Sequence, residues 1–191
     1  MRMTGHHVLI TGGGSGIGLA IAAAFSRLGN AIVICGRDQA RLDRARLELP
    51  DAEAIVCDVR DPVQVAAIAQ RQAGRITILV NNAAVSEPVD FLQPDLDDTE
   101  AVKEIEVNLI GTLRMMRAFL PSLLARSEAA IVNVTSGLAF VPSAQRPVYS
   151  ATKAALHSLS QSARHQLRET SVKVFELIPP VTDTAMAVGC A

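Results

Sequence analysis

Short apolar runs alternate with stretches of helical period along the chain. HVLIT (7–11), AIVICG (31–36), EAIVCD (53–58), ITILVNN (76–82), AAIVNVTS (129–136) and VKVFELIP (172–179) read as strands. Helical spacing predicts helices at about 16–28, 38–48, 62–73, 97–126 and 148–169. Asp61-Pro62 is a helix start, a capping carboxylate followed by proline at the first helical position, and Gly29-Asn30 closes the first helix. Strands alternating with helices predict a doubly wound α/β fold: a parallel sheet with helices on both faces, joined by right-handed crossovers. No repeat, linker or low-complexity tract interrupts the pattern, so residues 1–191 are expected to form one domain.

Composition narrows the function classes. Hydrophobic residues make up 49% of the chain, which suits strands buried on both faces. The net charge is −1 and aromatics are 3%, so neither the basic excess nor the stacking rings of a nucleic-acid binder are present. Cys35, Cys57 and Cys190 are odd in number and far apart; they read as reduced thiols of a cytoplasmic protein, the first two within buried strands. His6 and His7 lack an accompanying cluster of ligands, so no metal site is expected. No signal peptide precedes the first strand and no apolar run approaches membrane-spanning length, so a soluble protein is expected, with no membrane partner.

Two features carry chemistry. The first strand runs into TGGGSGIG (11–18), and a helix begins at its end. Such a loop brings backbone amides and the positive end of a helix dipole close to a pyrophosphate. Its glycines, Gly12, Gly16 and Gly18, do not keep the strict G-x-G-x-x-G spacing. The second feature is VYSATKAAL, where the only tyrosine, Tyr149, precedes Lys153 by four residues, one turn away on the same helix face. Bringing a phenol from about 10 to about 7 takes about 4 kcal/mol. A cation about 4 to 5 Å away, at an effective dielectric of about 20, supplies about 3 to 4 kcal/mol. In isolation the pair also reads as a packed ring beside a solvated charge.

With loop and pair together, the sequence resembles the short-chain dehydrogenase/reductase family, whose motifs are T-G-x-x-x-G-x-G and Y-x-x-x-K. The resemblance covers essentially the whole chain. It implies a strand order of 3-2-1-4-5-6 and a catalytic set of Ser136, Tyr149, Lys153 and Asn108. It also implies a cofactor site built from Gly12, Gly14, Ser15, Gly16, Ile17, Gly18, Arg37, Asp58, Val59, Asn82, Ala83, Tyr149, Lys153, Pro179 and Thr182. Ala84 stands where the family commonly has glycine, and Pro179-Pro180 where it usually has Pro-Gly. The residues bear other roles as well: Asp58 as a turn residue, Asn82 as a loop brace, Asn108 as a polar residue tolerated within a helix.

The second strand ends in Gly36 followed by Arg37, and Asp38 comes one residue late for the ribose hydroxyls that an acid binds in NAD sites. The expected cofactor is therefore NADP, with NAD as the alternative. In the implied reaction, hydride moves between nicotinamide and the carbon of a carbonyl or secondary alcohol. Tyr149 transfers the proton, Ser136 holds the oxygen, Lys153 tunes the phenol and binds ribose, and Asn108 holds a relay water. Family members usually continue through a substrate-covering loop and a seventh strand, and on the resemblance neither is expected within residues 1–191. A nucleotide-binding scaffold with little turnover is the other reading. The resemblance further implies a homodimer through the predicted helices 97–126 and 148–169.

Overall fold

The computed structural model describes residues 2–93 and 98–180. Six strands, β1 (His7–Thr11), β2 (Ala31–Gly36), β3 (Glu53–Val56), β4 (Ile78–Asn81), β5 (Ala129–Val134) and β6 (Val172–Leu177), form one parallel sheet in the order β3-β2-β1-β4-β5-β6. This is the expected doubly wound topology. Four of the strands end before the apolar runs that predicted them. Beyond the ladders, Cys57-Asp58, Asn82, Thr135-Ser136 and Ile178-Pro179 turn out of the sheet at its carboxyl edge.

The helices are α1 (Gly16–Arg27), α2 (Gln39–Glu48), α3 (Pro62–Arg71), α4 (Thr99–Ile105), α5 (Thr112–Leu124) and α6 (Pro147–Gln166). Side chains cap two of their starts. Asp38 accepts the Arg41 amide, and Asp61 accepts those of Val63 and Gln64 with Pro62 at the first position. The start of α1, at Ser15, has no side-chain cap.

Alternate strand residues feed two apolar layers, as the period of two in a strand requires. Val8, Ile10, Ile32, Ile34, Ile78 and Val80 pack with Ala22 of α1 and Leu42 and Ala45 of α2. Leu9, Val33, Leu79, Ile131 and Val174 pack with Val65 and Ile68 of α3, Met115 and Phe119 of α5 and Ala163 of α6. Cys35 and Cys57 are free, buried thiols; burial raises both, that of Cys57 to about 11. Cys57 lies just past β3 rather than inside it, and Cys190 is outside the described residues. His6 is structural: its ring nitrogens meet the Thr77 hydroxyl and the Arg2 carbonyl. Among the described residues, no helix is long and apolar enough to cross a membrane.

The long helix predicted over 97–126 is not uniform. Between α4 and α5 the chain widens into a π-helical stretch, Glu106–Gly111, that includes Asn108. Close packing accompanies the widening: a Cβ on Gly111 would lie 2.6 Å from Val59 Cγ2, so glycine lets this backbone approach the segment that follows β3.

Candidate active site

A cleft of about 340 Å³ opens at the carboxyl edge of the sheet, where the strand order reverses between β1 and β4. Its floor is the glycine loop. Gly12 (φ +65°) and Gly16 (φ +53°) adopt left-handed backbone that other residues rarely take, and Gly12, Gly14, Ser15, Gly16 and Ile17 all line the cleft. Gly18 is beneath it, where a Cβ would lie 2.4 Å from the Gly12 carbonyl oxygen. Thr11 braces the loop from below: its hydroxyl oxygen accepts the amides of Asn82 (2.9 Å) and Ala83 (3.0 Å). Asn82 returns the brace through Nδ2 to the Thr11 carbonyl at 3.0 Å. The uncapped start of α1 faces this same cleft, so the loop and helix present what a pyrophosphate needs.

One end of the cleft, beyond β2 and β3, is polar. Gly36, Arg37, Arg41, Asp58 and Val59 line it. Asp38 is committed to capping α2 and to an ion pair with Arg41 at 3.3 Å. Asp58 is gripped by Arg60, with Nη2–Oδ2 at 2.7 Å; that hydrogen bonding holds its carboxyl below the ordinary carboxylate range.

At the other end, beyond β5 and β6, α6 presents Tyr149 and Lys153 on one face. Lys153 Nζ is 5.4 Å from the Tyr149 ring centroid and donates to the Val134 carbonyl at 2.8 Å. Lys153 is 2% exposed, and burial pulls its pKa from 10.5 to about 8. Thr135 and Pro179 complete this end of the lining. A buried ladder supports it from behind: Asn81 Nδ2 donates to Asn133 Oδ1, and Asn133 Nδ2 to Ser160 Oγ, both at 2.9 Å, linking β4, β5 and α6.

Ser136 and Asn108 adjoin the cleft without lining it. Ser136 follows Thr135, half-buried, with its oxygen accepting the Leu138 amide at 3.2 Å. The Asn108 side chain is fully engaged: Oδ1 accepts the Val85 amide (2.8 Å), and Nδ2 donates to the Val85 carbonyl (2.9 Å) and the Thr152 hydroxyl (3.1 Å). Thr152 in turn donates to the Tyr149 carbonyl at 2.8 Å, so Asn108 ties the segment after β4 to the turn of α6 that carries the tyrosine. Thr182 lies outside the described residues. Among the lining residues that sequence reasoning did not assign to the site are Arg41, Leu42, Cys57, Val85, Val107, Val134 and Thr135. Arg41 was within reach of it, since it stands one helical turn from Arg37 at the start of a predicted helix.

Sheet, switch point and glycine cradle together define a doubly wound protein of the Rossmann type. Residues 6–190 match the family described as short chain dehydrogenase. The chain belongs to that family of oxidoreductases. It is 47% identical over 189 residues to the uncharacterized oxidoreductase DltE of Bacillus subtilis, covering 97% of this chain and 75% of that protein. Among solved structures, a short chain dehydrogenase/reductase from Burkholderia phymatum in complex with NAD superposes with a TM-score of 0.92 at 28% identity, covering 98% of this chain and 70% of that one. A short chain dehydrogenase from Burkholderia cenocepacia in complex with NADP gives 0.88 at 34% identity, covering 98% and 77%.

Proposed function

We propose that this chain is an NADP-dependent carbonyl reductase or alcohol dehydrogenase that uses Tyr149 as its proton donor and acceptor. The observation that supports this most is the buried Lys153 ammonium, held against the Tyr149 ring at the end of a cleft whose floor is a glycine loop. When bound, the nicotinamide nucleotide supplies the hydride. Gly12–Ile17 and the open start of α1 would hold its phosphates, and Lys153 its ribose.

Lys153 works through its charge. With a pKa of about 8 it stays protonated at neutral pH, and a cation beside a phenol favours the phenolate. The same value lets it take up or release a proton near neutrality. Ser136 accepts from a backbone amide, which orients its hydroxyl for donation to a substrate oxygen. Asn108 acts by bracing, because its side-chain amide is already spent on Val85 and Thr152.

The polar end favours NADP. Arg37 and Arg41 both reach the cleft, while the nearby carboxylates of Asp38 and Asp58 are occupied by Arg41 and Arg60. A 2′-phosphate there would meet the Arg37 guanidinium beside the Arg41–Asp38 ion pair, with no unpaired acid against it. Val102, Ile105 and Leu124 are exposed apolar residues along α4 and α5, which supports self-association through that helix; sedimentation tests it.

The decisive experiment titrates NADPH and then screens small ketones and aldehydes with wild type and Tyr149→Phe. Cofactor affinity is expected to stay within about twofold, while turnover falls by a factor of about 10² to 10⁴. Equal turnover removes Tyr149 from the chemistry. Tight NADPH binding without turnover on any carbonyl returns the scaffold reading.

A further inference from the structure

The face of α6 that carries Tyr149 and Lys153 continues, four residues on, to His157, which the reaction above does not use. Its Nδ1 lies 2.9 and 2.8 Å from the two carboxylate oxygens of Glu176 on β6. Gln161 Nε2, 2.7 Å from His157 Nε2, donates to it and leaves the imidazole proton on Nδ1, aimed at the carboxylate. Phe140 closes over the ring edge-on, with centroids 4.6 Å apart. The Glu176 side chain is only 8% exposed, and one of its oxygens also accepts the Thr135 hydroxyl at 2.7 Å.

A buried carboxylate at a sheet edge is a costly way to hold two elements together, since an apolar pair of similar size does so without desolvating a charge. What it adds here is direction. Thr135 is both the residue after Val134, the backbone acceptor of Lys153, and a lining residue of the cleft. Its amide donates to the Leu177 carbonyl at 2.9 Å, and two residues beyond Leu177 the chain reaches Pro179, also in the lining. Lys153 therefore fastens α6 to β5 directly, and His157 fastens α6 to β5 and β6 together through one carboxylate.

We propose that His157 and Glu176 are positioning residues that fix Thr135 and the Pro179 segment against the Tyr149–Lys153 face, and so shape the nicotinamide end of the cleft. This rests on the cofactor reading given above. The adenosine end, built by Arg37, Arg41 and Asp58 beyond β2 and β3, is across the sheet from the latch and does not depend on it.

The test is binding, independent of turnover. His157→Phe keeps the ring and its contact with Phe140 but removes the donor; Glu176→Gln keeps the shape and removes the charge; His157→Gln restores a donor. Each full-length protein is titrated with NADPH and with adenosine 2′,5′-bisphosphate, which occupies the adenosine end alone. His157→Phe and Glu176→Gln are expected to weaken NADPH about tenfold, as loss of a charge-assisted hydrogen bond does, and leave the bisphosphate within about twofold. His157→Gln is expected to recover most of the loss. Unchanged NADPH binding, or an equal loss for both ligands, overturns the latch while leaving the cofactor site intact. A wild-type protein that binds the bisphosphate but gains nothing from the nicotinamide half, or binds neither, overturns the cofactor reading and the latch with it.

Discussion

The role proposed for Lys153 sets it against its own solvation, and replacing it by methionine should stabilise the protein while removing the proposed chemistry. The fall from 10.5 to about 8 represents about 3 kcal/mol of folding free energy withheld at neutral pH. Lys153→Met removes that penalty but forfeits the hydrogen bond to Val134, worth about 1 to 2 kcal/mol. A net gain of about 1 to 2 kcal/mol remains, seen at pH 7 as a urea midpoint about 0.5 to 1 M higher. The sign can be followed with pH. Between about pH 8 and 10.5 the folded protein has released a proton that the unfolded chain still holds. Unfolding then takes up a proton, so wild-type stability climbs with pH relative to the variant. The advantage of Lys153→Met should shrink across this window and reverse near its top, where only the lost hydrogen bond counts. The raised thiols of Cys35 and Cys57 act equally in both proteins and cancel. Denaturation curves at pH 7, 8, 9 and 10 give the difference directly. A wild type already more stable than the variant at pH 7, or a difference constant with pH, refutes the reasoning.

Other outcomes follow from the same geometry. Arg37→Glu should weaken NADPH at least about tenfold more than NADH, because it sets a carboxylate against a 2′-phosphate; parallel titrations check this, and a uniform loss removes Arg37 from phosphate recognition. Gly18→Ala places a methyl 2.4 Å from the Gly12 carbonyl and 2.5 Å from Asn82 Nδ2; about 1 to 3 kcal/mol of stability should be lost together with nucleotide affinity, measured by thermal melts with and without NADPH. Glu104, fully buried on α4, has carboxylate oxygens that complete no hydrogen bond, and burial lifts it from 4.5 to about 7, the Glu87 amide pulling more weakly the other way. Its neutral form favours the fold below about pH 4.5, and that contribution is lost as pH rises through 7. Glu104→Gln should flatten the stability profile between pH 5 and 8, which a series of urea midpoints tests.

The sheet was legible because a strand buried on both faces must be apolar throughout, and β1 and β2 match their predicted limits. The later strands were read too long because Asp58, Asn82 and Ser136 close apolar runs yet lie beyond the ladders, at or beside the cleft. The glycine loop and the Tyr149–Lys153 row were visible as local spacing. The bond from Lys153 to Val134 was not, since a backbone carbonyl carries no signature in the sequence. The His157–Glu176 pair joins residues 19 apart, with no local period to announce it. The close approach of Gly111 to Val59 within the π-helical stretch was hidden for a similar reason: the two residues are far apart in the chain.

That stretch also fixes how the chain tolerates insertion and deletion. Each residue in a helix turns the chain by about 100°, and a π turn accommodates one residue beyond the regular count. Excising one residue from Glu106–Gly111 would give a smoother rod of better intrinsic propensity. It would also rotate everything on one side of the excision by a quarter turn or more, so that Met115 and Phe119 could no longer face the sheet while Asn108 still reached Val85. The irregularity is a phase shifter: it lets one continuous helix serve the core with one half and the wall beside the cleft with the other.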